Sequence, residues 1–138
     1  MTGKKGLTLV EVIFSLAIVG LVLGSAIAVF VQTTRSSKTI DCTYSAVGLA
    51  RMRIESARHL IDRSGFEELT QAKFGEDKVR INSDGFPDRE GDFYRTTTVV
   101  TDYDDNAYLT SVEVSISYVF EGRLVENASS LKMVFVNI

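Results

Sequence analysis

Cys42 is the only cysteine in the chain, so no internal disulfide can form and thiol usage says nothing about compartment. The plain reading of Cys42 is a reduced, buried side chain. His59 is equally solitary. Without a second histidine or cysteine at a ligand spacing it reads as a solvated helix residue rather than a metal ligand. The chain has no nucleophile elbow and no phosphate-cradling glycine loop, and no serine or cysteine is matched to its histidine. That excludes the recognisable catalytic classes, so the chain reads as a non-enzyme with no cofactor. Strong charge is missing too. A formal net charge of −3, with acids and bases interspersed, gives no basic surface for nucleic acid. Internal repeats and low-complexity tracts are absent. The only proline, Pro87, lies far from the N-terminus.

What is present is a long apolar run. From Val12 to Val31 no residue is charged, and at ~1.5 Å per residue such a helix spans roughly 30 Å, the thickness of a bilayer's hydrocarbon core. Lys4, Lys5 and Gly6 precede the run, and Glu11 stands near its start. A carboxylate at the centre of a membrane helix costs roughly 2.5–3.5 kcal/mol, less near an end. Glu11 therefore calls for a partner or a task.

A cleaved secretory signal accounts for part of this stretch. Lys4 and Lys5 make its basic end, Leu7 to Gly24 its apolar stretch, and Ala26-Ile27-Ala28 a small-residue cleavage site. That apolar stretch exceeds the usual ~7–15 residues, and Glu11 lies inside it. A single-span anchor with its lysines held in the cytoplasm accounts for length and orientation, but not for Glu11 or Gly6.

A third reading uses every residue. The stretch Lys4-Lys5-Gly6-Leu7-Thr8-Leu9-Val10-Glu11 resembles the processing site of the type IV pilins and type II secretion pseudopilins. The resemblance implies a leader, residues 1–6, cut by prepilin peptidase between Gly6 and Leu7, and N-methylation of Leu7. It makes Glu11 the acid that serves assembly with other pilin or pseudopilin subunits. Cleavage would create an α-amino cation one helical turn from Glu11, and the helix N-terminus itself favours a carboxylate. In a bundle, Glu11 can instead pair with the amine of a neighbouring subunit, so that its charge is matched rather than stranded. The resemblance also implies an inner-membrane, single-pass chain with a periplasmic C-terminal domain that later enters a filament.

Beyond the span, apolar residues recur at Ile40, Tyr44, Val47, Ala50, Ile54, Ala57 and Ile61, a helical stripe that predicts a core face. Arg51, Arg53, Glu55, Arg58 and Asp62 fall off it. Gly65 is a fitting terminator. One helix is thus expected from about Leu7 to about Arg63, with a membrane half at 7–31 and an amphipathic half at 32–63.

Strands are expected over about 78–138. Lys78–Asn82 is a weak one, and Asp92–Thr101 is rich in β-formers. Leu109–Phe120 alternates cleanly, with Val112, Val114, Ile116, Tyr118 and Phe120 on one face. Glu121-Gly122 signals a tight turn, and Arg123–Ile138 returns as a last strand or a bulged pair. The fold class is α+β: a long helix on a small antiparallel meander. A pilin-like domain would occupy 32–138.

Major pilins commonly carry a proline in the membrane half of the helix and a C-terminal disulfide, and this chain has neither. The segments F-Y-R-T-T-T-V-V-T-D and V-E-V-S-I-S-Y instead make it similar to the group containing the type II pseudopilin I and the type IV minor pilin V. That implies filament initiation or tip assembly. The rival function is a bitopic binding protein whose periplasmic domain reads a ligand, a role that needs no cut at Gly6.

Two weaker signals complete the reading. Gly20 and Gly24 form a G-x-x-x-G pair that lets membrane helices approach, though glycine is also simply common in such helices. Asp102-Tyr103-Asp104-Asp105-Asn106 with Glu113 has the acid spacing of a calcium loop. Ala107 stands where that loop needs glycine, and Glu113 lies in a strand pattern, so solvated turn acids are the preferred account.

Overall fold

The computed structural model describes residues 8–137. Gly6 and Leu7 lie outside the described residues. The chain divides into two compact units, Met1–Lys38 and Thr39–Ile138. One helix, α1 (Leu9–Ser64), contributes to both.

In the first unit every described residue is exposed, including Leu16, Leu21, Ile27 and Phe30. This helix is long and apolar enough to cross a membrane.

In the second unit α1 contributes Ala46, Leu49, Ala50, Ile54 and Ala57 to a core completed by Leu69, Phe74, Ile81, Phe93, Val99, Val112, Val114, Ile116 and Tyr118. This face corrects the upper part of the predicted stripe. Ile40 and Tyr44 are 53% and 75% exposed, whereas Cys42 is half-buried against the core. At about 100° per residue, Tyr44 lies well over a quarter-turn from the direction shared by Cys42, Ala46, Ala50 and Ala57. Two apolar stripes run along the helix, and the one rich in alanine faces the sheet. Gly65 ends α1 with φ +83°, its amide bonded to the Ile61 carbonyl at 2.8 Å.

Sequence periodicity assigned no element to 66–77. The structure has a 3-10 turn at Phe66–Glu68 and a one-turn helix α2 (Gln71–Phe74), which between them place Leu69 and Phe74 in the core.

Four strands follow: β1 (Glu76–Ile81), β2 (Phe93–Thr101), β3 (Leu109–Phe120) and β4 (Arg123–Val136). They form an antiparallel meander in the order β1-β2-β3-β4. The α+β architecture is therefore the pilin-like one, a long N-terminal helix packed on an antiparallel sheet. Phe93, Arg95, Thr97 and Val99 of β2 and Val112, Val114, Ile116 and Tyr118 of β3 are buried, as a period of two requires. Glu121 (φ 49°) and Gly122 (φ 76°) make the β3–β4 turn. Two successive positive φ values define the type I′ geometry whose twist suits a hairpin. β4 then bulges: Ile116 pairs with Ser129 and Tyr118 with Val125. The excess residues are absorbed around Asn127 (φ 49°).

β1 begins at Glu76 and slips register between Glu76 and Val79, where Lys78 takes φ 45°. The connection to β2 folds back along β1. Pro87 bridges Ile81, and the Asp88 amide donates to the Arg80 carbonyl at 3.0 Å. Gly91 permits this return, since a Cβ there would sit 2.0 Å from the Ile81 carbonyl oxygen.

Candidate functional site

The N-terminal motif opens α1 with a cap. Thr8 precedes the first helical residue, and its Oγ1 accepts the Glu11 amide at 3.3 Å. The Val12 amide reaches the Thr8 carbonyl at 3.2 Å. Thr8-x-x-Glu11 has the spacing of a capping box, which satisfies amides that the helix itself leaves without partners. Glu11 lies in the first turn of α1, so its carboxylate meets the positive end of the helix dipole. The motif thus has a local structural use as well as any role in assembly. The predicted processing residues Gly6 and Leu7 lie outside the described residues, and only Glu11 of the three is placed.

Hydroxyls within and just after the apolar run are satisfied by the helix itself. Ser15 donates to the Glu11 carbonyl at 2.8 Å, Ser25 to Val22 at 2.8 Å, Thr33 to Val29 at 2.9 Å and Thr34 to Phe30 at 3.0 Å. Each removes a donor that would be costly in hydrocarbon. A Cβ on Gly20 or Gly24 would meet nothing within 4 Å, so no contact within the described chain requires either glycine.

A second cluster escaped the sequence reading. Arg53, placed off the apolar stripe by periodicity, is half-buried on the core face instead. Its guanidinium stacks 3.8 Å over the Phe74 ring, donates to the Phe74 carbonyl at 2.8 Å and pairs with Glu76 at 3.2 Å. Arg95, 6% exposed, grips the same carboxylate with two bonds, at 2.6 Å and 2.9 Å. It also donates to the Gly85 carbonyl at 2.9 Å. One carboxylate therefore joins two guanidinium groups from α1 and β2. Burial pulls the Arg53 guanidinium below its ordinary range, the Glu76 carboxylate opposes that shift, and Arg95 adds to it. The arrangement fastens helix, sheet and the 82–91 loop together. The signal for Arg95 was available, since it shares the alternation of Phe93 and Val99.

The acidic loop is a tight turn. Asp102, Asp104 and Asp105 adopt left-handed φ values of 55°, 60° and 55°, which aspartate tolerates in tight turns. Glu113 lies in β3 and accepts the Ser130 hydroxyl at 3.0 Å. Among the described residues no group of three or more acidic, histidine or cysteine side chains is placed to hold a metal. His59 is exposed on α1.

Fold and motif together define a class of protein, one with an apolar N-terminal helix continuing into a small α+β domain. Residues 1–27 match the family model described as the prokaryotic N-terminal methylation motif. This match supports a type IV pilin-like or pseudopilin protein and points to a structural subunit. The motif implies processing by prepilin peptidase and assembly with other pilin subunits. With the apolar helix, it also fits anchoring in the inner membrane. Comparisons with curated proteins and with solved structures gave no match.

Proposed function

We propose that the chain is a minor pilin or pseudopilin that acts in filament initiation or at a filament tip, in the manner of the pseudopilin I and minor pilin V group. In this reading residues 1–6 are the leader, 7–31 the membrane and filament-core half of the helix, and 32–138 a periplasmic domain. Prepilin peptidase cuts between Gly6 and Leu7, Leu7 carries the methylated amine, and Glu11 receives the amine of an adjoining subunit. The observation that carries the reading is the methylation motif at residues 1–27 leading into an apolar helix whose described residues up to Lys38 are all exposed. An exposed apolar surface of that extent calls for lipid or neighbouring helices. The minor rather than major role is supported by a single cysteine and by the absence of proline from the apolar run.

Mass spectrometry of the protein recovered from membranes tests the processing step. The expected mature N-terminus is Leu7, one methyl group heavier than the unmodified residue, and Gly6→Val leaves the full-length precursor. An N-terminus at Val29 would assign the segment to an ordinary secretory signal and overturn the reading.

A further inference from the structure

The two edges of the sheet are treated differently. The β1 edge is guarded by its own chain: the bulge at Lys78 interrupts it, and Pro87 and Asp88 strap its far end. Where β1 stops short, the Val99 amide of β2 donates instead to Gln71 Oε1 at 2.6 Å. β4 carries the Asn127 bulge in its first half and, beyond it, a single edge charge, Lys132, whose ammonium is drawn over the Tyr103 ring at 4.2 Å. From Ser129 to Val136 the strand keeps one register with β3 at the margin of the sheet. Among the described residues no segment hydrogen-bonds to its outer side.

The hydrogen-bond parity shows which groups that side presents. The Asn137 amide donates to the Tyr108 carbonyl at 2.8 Å, directly continuing the pairing of Val136 with Leu109. In an antiparallel ladder bonded and non-bonded pairs alternate. Residues 129, 131, 133 and 135 therefore bond to β3, while Ser130, Lys132, Val134 and Val136 turn their amides and carbonyls outward. Edges left in this state template pairing with another strand. Val134 and Val136 are 41% and 54% exposed.

We propose that this stretch pairs with the same stretch of a second copy of the chain, antiparallel about a two-fold axis at Val134. The sequence Leu131-Lys132-Met133-Val134-Phe135-Val136-Asn137 selects the axis. At Val134, Met133 faces Phe135 of the other copy, the two Val134 residues face each other, and Lys132 faces Val136. An axis at Lys132 would oppose two ammonium groups, and one at Met133 would leave them diagonal neighbours; both are unfavourable. An axis at Ser129 or Ser130 would drive the second copy into the Asn127 bulge. So short a pairing buries less than the roughly 1,200 Å² of a stable interface. It therefore operates between copies already concentrated on one membrane or filament. It does not depend on cleavage at Gly6.

Disulfide trapping of the full-length chain reconstituted at high density in phospholipid vesicles, in a Cys42→Ser background, tests the pairing. Directly bonded residues across such a pair have Cα atoms about 5.5 Å apart, within disulfide reach. The two Ser130 residues would be eight positions out of register, roughly 27 Å apart. Val134→Cys should cross-link at least tenfold faster than Ser130→Cys or than Thr98→Cys on the central sheet. Equal rates at all three positions, or faster linking at Ser130, would overturn the proposal. Val134→Pro supplies a second arm. It removes an outward amide that the chain's own sheet does not use, so it should lower the dimer fraction read by energy transfer between labelled copies in the same vesicles at least tenfold while leaving the far-UV melting curve in place. A dimer fraction unchanged in a folded Val134→Pro protein also overturns it.

Discussion

Removing the carboxylate of Glu76 should destabilise the domain more than removing either arginine it holds. Glu76 binds Arg95 at 2.6 Å and Arg53 at 3.2 Å, so Glu76→Gln leaves two guanidinium groups facing one neutral amide. Orphaning one member of a buried pair typically costs 3–5 kcal/mol, and because the Glu76 side chain keeps 18% of its exposure, about 2–4 kcal/mol is the working figure. In a domain near 100 residues that lowers the melting temperature by roughly 10–25 °C. Arg95→Met behaves differently. It leaves Glu76 paired one-to-one with Arg53, fills much of the same volume and loses the bond to the Gly85 carbonyl, for about 1 kcal/mol. Thermal unfolding of a soluble fragment beginning at Gln32, followed by far-UV circular dichroism, gives both numbers. If Arg95→Met is the more damaging, or Glu76→Gln costs less than 1 kcal/mol, the cluster is not the fastener between α1 and the sheet.

Ile54, 5% exposed in the middle of the core face, should not tolerate Asp. An unpaired charge there costs several kcal/mol, so Ile54→Asp should show no cooperative melting transition in the same fragment, whereas Tyr44→Asp, on the exposed stripe, should melt within about 1 kcal/mol of wild type. Gly122→Val should cost about 1–2 kcal/mol through its positive φ alone, because a Cβ there would meet nothing within 4 Å; the equilibrium urea midpoint measures it.

The architecture was legible wherever one period dominated. β3 reads directly because Val112, Val114, Ile116 and Tyr118 alternate with polar residues and only one face is buried. The long helix reads from its apolar run and from Gly65. Its orientation on the sheet read correctly over Ala50, Ile54 and Ala57 but not over the turns before them, because Ile40, Tyr44 and Val47 continue the stripe with large apolar residues, and periodicity passed over Cys42 and Ala46. The segment at 66–74 was silent for a different reason: a 3-10 turn and a single helical turn are too short to show any period. Arg53 and Glu76 are legible only as a pair, and the pair exists only once α1 and β1 are packed. Arg95 alone had a local signature, its place in the inward series with Phe93, Thr97 and Val99.

Thr8 and Glu11 separate two explanations of the N-terminal acid. As a cap, the motif acts within one chain: Thr8 Oγ1 takes the Glu11 amide, and the Glu11 carboxylate sits at the dipole's positive end. As an assembly group, Glu11 acts between chains by pairing with the N-terminal amine of another subunit. Thr8→Val removes the first hydroxyl contact and leaves the carboxylate, so it should cost about 1 kcal/mol of local helix stability and leave partner capture intact. Glu11→Leu makes the span more apolar, so insertion and the cut after Gly6 should proceed as in wild type. What it removes is the charge opposite an incoming cation, a loss of a few kcal/mol for every subunit that enters a low-dielectric bundle. Cross-linking to partner subunits at equal membrane levels should therefore fall sharply in Glu11→Leu and stay near wild type in Thr8→Val. Equal losses in the two variants would mean that the acid serves only to start the helix. A Glu11→Leu chain that cross-links and supports filament function as wild type does would remove the assembly role altogether.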